Sequence, residues 1–89
     1  MVEVSFTGNL QRHIEVASIE VESGSLVEVL DQVFEAYPKL KPYLFDEQNQ
    51  LRPHIMLALD RQLIQRNLDQ FKHQTGFTRL HIMQALSGG

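Results

Sequence analysis

The 89-residue sequence contains no cysteine and no tryptophan, and only three prolines and five glycines. Without cysteine there is no disulfide framework, no thiolate zinc site, no redox CxxC pair and no cysteine nucleophile. No run of about 18 apolar residues occurs, so no segment reads as a membrane-spanning helix. A secretory leader needs a basic start and a continuous apolar stretch, whereas Met1 to Phe6 alternates valine with glutamate and serine. The expectation is a cytoplasmic protein. Basic residues are also scarce: 8 Lys and Arg stand against 11 Asp and Glu, a net charge of −3. Phosphate binding needs an excess of positive charge on the contact face, which argues against nucleic acid as the main partner. The length suffices for one small core and leaves no room for a separate catalytic domain.

What is present is a globular composition, 43% hydrophobic and 21% charged. Charge is divided along the chain. Residues 1–36 hold seven acids and one base, while residues 37–89 hold four acids and seven bases.

Val2, Val4 and Phe6 alternate with Glu3 and Ser5, the period of a half-buried strand. Thr7-Gly8-Asn9 interrupts it, and a second alternating run places Ala17, Ile19 and Val21 on one face. Ile14 and Val16 are out of phase with that run, which predicts a bulge near Val16. Together the two runs predict a hairpin. Ser25 and Glu28 then form an S-x-x-E capping box, followed by Leu26, Val29, Leu30, Val33, Phe34 and Tyr37 at helical spacing. Pro38 ends this helix. The long connection to Pro53 contains Leu40, Tyr43, Leu44 and Phe45, apolar enough to predict a short helical turn packed on the core edge. Asp46 to Gln50 is expected to be its mobile tip. His54 to Asp60 is apolar on both faces and predicts an interior strand. A short edge strand near Gln62 to Ile64, a helical turn near Leu68 to Phe71, a turn at Gly76 and a last strand from Thr78 to Leu86 complete the chain.

The order β-β-α-β-β-β with one main helix predicts an α+β domain. Its mixed sheet of four to five strands has the helix on one face, and the first and last strands lie parallel in its centre. That is the β-grasp arrangement, as a single domain over residues 1–89. A ferredoxin-like fold needs a second full helix, and the apolar spacing of Gln62 to Gln74 is too weak to supply one.

The chemistry-bearing feature is Gly88-Gly89, directly after the last strand. Glycines lack Cβ, so a tail made of them passes through a narrow tunnel and adopts conformations closed to other residues. Leu86 to Gly89 spans at most about 13 Å when extended. Residues 87–89 therefore read as a flexible tail that presents a carboxylate to another protein's active site.

The complete β-grasp order, the length and the terminal diglycine together resemble the MoaD/ThiS family of ubiquitin-like sulfur carriers. The residues that carry the likeness are Val2-Glu3-Val4-Ser5-Phe6, the capped helix Ser25 to Tyr37, Leu51-Arg52-Pro53-His54-Ile55, and Leu80-His81-Ile82-Met83-Gln84-Ala85-Leu86-Ser87-Gly88-Gly89. The long Pro38 to Pro53 connection is similar to the molybdopterin synthase small subunit and cysteine-biosynthesis branch. The resemblance implies a carrier, not an enzyme. A ubiquitin-activating-type adenylyltransferase would adenylylate Gly89 with ATP and Mg²⁺, and sulfur would replace the adenylate. The resulting thiocarboxylate would serve a sulfur-accepting synthase in molybdopterin, cysteine or thiamine-type biosynthesis. Gly88 would give access to Gly89, and in some relatives a protease first removes a short extension. No cofactor of its own is implied. The sequence departs from many relatives at Asp60-Arg61-Gln62 and Gln74-Thr75-Gly76, where they have Asn-Gly or Asp-Gly turns, and at Gln84-Ala85, where they have proline. The acceptor pathway stays open. So do two other readings: a protein modifier conjugated through Gly89, and a β-grasp interaction module.

Met56, Ala58 and Met83 are expected to point away from the helix, and with Leu86 to form an exposed apolar partner-binding patch leading to the tail. His54 and His81 are expected on the same face. Two imidazoles without a third ligand make a poor metal site, and none is assigned. Arg52, Arg61, Arg66 and Arg79 are candidates for docking to an acidic partner, with solvated surface charge as the ordinary alternative.

Overall fold

The structure, a computed structural model, describes residues 1–7, 17–66 and 68–84. The elements are β1 (Val2–Phe6), β2 (Ser18–Val21), α1 (Leu26–Ala36), α2 (Leu40–Leu44), β3 (Ile55–Leu59), β4 (Gln62–Gln65) and β5 (Arg79–Gln84). The strands form one sheet in the order β2-β1-β5-β3-β4. The two middle strands, β1 and β5, run parallel, and every other pair is antiparallel. The expected bulge at Val16 and the tail 85–89 lie outside the described residues.

Period-two patterning fixes which face is covered. Val2, Val4, Phe6, Leu57, Leu59, Ile64, Leu80 and Ile82 are buried on one side of the sheet. Against them α1 places Leu26, Val29, Leu30 and Val33, all buried and on one stripe of the helix. The short helix α2 adds Leu40 and Leu44, and Phe45 follows; Phe45 meets the Phe34 ring edge-on at 5.7 Å.

The first-turn amides of α1, which have no partner within the helix, are all taken. Ser25 Oγ accepts from the Glu28 amide at 3.2 Å, and the Ser25 amide donates back to Glu28 Oε1 at 2.9 Å. The Leu26 amide donates to the Gln74 carbonyl and the Val27 amide to the Lys72 carbonyl, each at 3.1 Å. The segment expected as a helical turn near Leu68 to Phe71 thus also covers the helix start. The Ser25 amide, and then the Ser25 hydroxyl, hold the Glu28 carboxyl below its ordinary value. Its contribution is present above the usual glutamate range and is lost as pH falls through the lowered value. Ser25→Ala is expected to cost about 1 kcal/mol. Glu28→Gln keeps a residue able to close the box but flattens the acid limb of a stability-versus-pH curve. A limb unchanged in Glu28→Gln would refute this assignment.

The Asp46 to Gln50 tip, expected to be mobile, is a closed turn. Asp46 Oδ1 accepts from the amides of Gln48 (2.9 Å) and Gln50 (3.0 Å), and Asn49 takes a φ of 62°. The Gln50 amide is the main reason the Asp46 carboxyl sits below its ordinary value. The β3–β4 hairpin turns through Asp60 at a φ of 51°. Asp60 Oδ1 is tied down by the Thr78 and Arg79 amides at 3.2 and 3.0 Å. Aspartate is one of the few residues besides glycine that visit the left-handed conformation singly, and here long-range bonds to the start of β5 hold its side chain.

Candidate functional site

Among the described residues both helices pack on one face of the sheet, and no helix covers the opposite face. The register decides what lies there. Met56 stands directly opposite Met83, and Ala58 stands between His81 on one side and Leu63 on the other. Met56, Ala58 and Met83 are half-buried, as expected for side chains flanked by neighbouring strands but uncovered from above. Leu63 is 61% exposed, the largest exposure of any apolar side chain in the described sheet strands. Met56, Ala58 and Met83 thus share the face away from α1 across β5 and β3, beside Leu63 of β4. Leu63 extends this group, a residue that sequence reasoning left inside a short edge strand. Its signal was the alternation Leu63/Ile64, which puts one of two adjacent apolar residues in water. Gln65 borders the patch and donates to Met56 Sδ at 2.9 Å.

The histidines separate. His81 lies on the open face and shares a hydrogen bond between its Nδ1 and Ser5 Oγ. His54 precedes β3, and its ring sits edge-on to Tyr43 at 6.3 Å. The two are not cross-strand neighbours: the register sets Ala58 opposite His81, and His54 lies four residues earlier, ahead of β3. Among the described residues no group of three His, Asp or Glu could hold a metal. Arg52 Nε donates to the Pro42 carbonyl and Arg66 Nη1 to the Leu51 carbonyl, and both arginines lie near enough to Asp46 to help lower its carboxyl.

The carboxyl end of β5 is held from two sides. The Gln84 amide donates to Thr7 Oγ1 at 3.3 Å, and Gln84 Oε1 accepts from the Tyr43 hydroxyl at 3.0 Å. Gln84 also pairs in register with Ile55. This clamp joins the end of β1, the short helix α2 and the start of β3 at the last described residue before Ala85. Sequence reasoning assigned Tyr43 to packing and gave Gln84 no role, since its partners are 41 and 77 residues away. Tyr43→Phe is expected to cost about 1 kcal/mol and to speed amide exchange at Met83 and Gln84. Exchange unchanged there would remove Tyr43 from this role. Leu86, Gly88 and Gly89 lie outside the described residues.

No family model matches the chain, and no curated protein sequence matches it. Solved structures do. SAMP1 from Haloferax volcanii aligns with a TM-score of 0.77 over 99% of this chain and 98% of that one, at 18% identity. The fold is the ubiquitin-like β-grasp. A chain of the Amycolatopsis orientalis BexX/CysO complex aligns over the full length of both chains at a TM-score of 0.74 and 21% identity. Urm1 from Sulfolobus solfataricus aligns at 0.64 and 19% identity, over 92% of this chain and 97% of that one. These β-grasp neighbours match the chain nearly end to end. Among the described residues no helix is long and apolar enough to cross a membrane.

Proposed function

We propose that this β-grasp protein is a carrier whose reactive group is the main-chain carboxylate of Gly89. One observation carries the reading: Gly88-Gly89 follows the central strand β5 of a ubiquitin-like sheet, within five residues of the Gln84 clamp. A strand bonded on both sides gives the tail a rigid root. The glycines give its end the freedom to enter a partner's site. The names of the structural neighbours fit a small protein that acts through partners, carrier or modifier, since SAMP1 is a small archaeal modifier protein and CysO is held in a complex with BexX.

The chemistry follows from a poor electrophile. A Gly89 carboxylate oxygen attacks the α-phosphorus of ATP on a ubiquitin-activating-type adenylyltransferase, and pyrophosphate leaves. Sulfide then attacks the acyl carbon, and AMP leaves with the C–O bond. The product is a thiocarboxylate, the sulfur donor for a synthase. ATP and Mg²⁺ belong to the activating partner. Met56, Ala58 and Met83, extended by Leu63, form the docking patch on the sheet's open face, and Leu86 is its proposed fourth member, outside the described residues. Methionine repacks easily and suits more than one partner. The test is intact mass after incubation with an adenylyltransferase of this type, ATP and sulfide. Oxygen-to-sulfur exchange confined to Gly89 supports the carrier. Gly-Gly remnants on lysines of other proteins would instead support the modifier reading, which shares the activation step.

A further inference from the structure

The outer edge of β2 is a second surface left open, far in the sheet from the patch on β3 and β4. The Phe6 amide donates to the Ala17 carbonyl at 3.0 Å, so these residues form a hydrogen-bonded pair. Such pairs alternate along an antiparallel ladder. With Val4 opposite Ile19 and Val2 opposite Val21, the main-chain groups of Ser18, Glu20 and Glu22 turn away from β1. At Glu22 they are already used. Gln32 Oε1 accepts from the Glu22 amide at 2.8 Å, and Gln32 Nε2 donates to the Glu22 carbonyl at 2.9 Å. A side-chain amide that bonds both groups of one residue does what an adjacent strand would do. Among the described residues nothing does the same for Ser18 and Glu20.

Beside this edge runs an open groove of about 470 Å³ between β2 and α1. Its apolar lining is Met1, Val21 and Ala36, and its acids are Glu20, Glu22 and Glu35. Described residues up to Ala36 carry six carboxylates and no lysine or arginine, the Met1 amino group being the single cation. Glu20 faces the open side of the sheet with Glu3, while Val21 faces the helix side. An incoming strand therefore meets Glu20 and Glu3 on one face and, on the other, a groove where Val21 and Ala36 lie among Glu22 and Glu35.

We infer that the Ser18–Glu20 edge takes up an extended segment of a partner protein as a sixth strand. Basic side chains of that segment would lie against Glu20 and Glu22, and apolar ones against Val21 and Ala36. Main-chain bonds supply affinity, and the alternation supplies specificity. The inference is independent of the chemistry at Gly89.

The probe is a blocked hexapeptide alternating lysine and valine, titrated into the ¹⁵N-labelled full chain. The largest shifts and slowed exchange are expected at the Ser18 and Glu20 amides, with affinity falling as salt rises. Ser18→Pro removes one outward donor at an edge position where proline is tolerated, so the fold persists while binding weakens about tenfold. If that variant fails to fold, the same peptide N-methylated on its edge-facing amides gives the answer on the unaltered protein. Equal binding by the N-methylated peptide, equal binding by a glutamate-valine peptide, shifts centred on Met56 and Met83, or no binding at millimolar peptide would each overturn the inference.

Discussion

Deletion of Gly89 is expected to abolish oxygen-to-sulfur exchange on the protein and to leave its thermal midpoint unchanged. The first half follows from geometry at the adenylyltransferase. An in-line attack on the α-phosphorus tolerates displacement of the nucleophile by a fraction of an ångström, and a chain one residue shorter withdraws the carboxylate by more than 3 Å. The second half follows from where the core is. Among the described residues the last buried side chain is Ile82, seven positions before Gly89. Gly88→Ala tests the access argument separately: the carboxylate keeps its reach, but a methyl group must pass where none did. Exchange at a wild-type rate in both variants would move the reactive group elsewhere and end the proposal. Loss of exchange accompanied by unfolding would show instead that the tail belongs to the core.

Ile82→Ala and Met83→Ala, one residue apart, are expected to have opposite consequences. Ile82 is fully buried between Phe6 of β1 and Leu57 of β3. Its truncation removes three carbons from a packed site and leaves a cavity, at a cost of about 2–5 kcal/mol. Against the 5–15 kcal/mol typical of whole domains, that is a large share of the stability. Denaturant midpoints report it directly. Met83 is half-buried on the open face, opposite Met56. Its truncation is expected to cost under about 1 kcal/mol in stability. If Met83 is an anchor of the docking patch, the same change weakens engagement by the activating partner by roughly thirtyfold. Read as KM for the carrier with single-turnover chemistry unchanged, that result separates docking from reaction. A Met83→Ala variant with normal KM, and Met56→Ala and Leu63→Ala variants likewise normal, would leave the open face without a role in activation.

Much of the fold was legible because local physics agreed with it. The capping box at Ser25 and Glu28, the helical stripe from Leu26 to Val33, and the alternations at Val2 to Phe6 and Leu80 to Met83 each specify an element from within a few residues. The element order then leaves few topologies, and the parallel β1–β5 pair is the arrangement that brings the chain's two ends into the middle of one sheet. Less legible were features set by pairs distant in sequence. How far His54 lies from His81 was one: the register puts Ala58 opposite His81, and the His54 ring meets Tyr43. The Asp46 turn looked free because it is polar, yet its carboxylate closes it onto the Gln48 and Gln50 amides.

The sequence by itself determined the β-grasp order, the core residues and the diglycine that suggests the chemistry, all through periodicity and composition over short windows. Only the tertiary structure decided that Leu63 completes the Met56–Met83 patch, that Tyr43 and Thr7 clamp Gln84, and that Gln32 closes part of the β2 edge while leaving Ser18 and Glu20 open. Each of those depends on strand register and on which way a main-chain group faces. These are properties of pairs of segments, and no single segment encodes them.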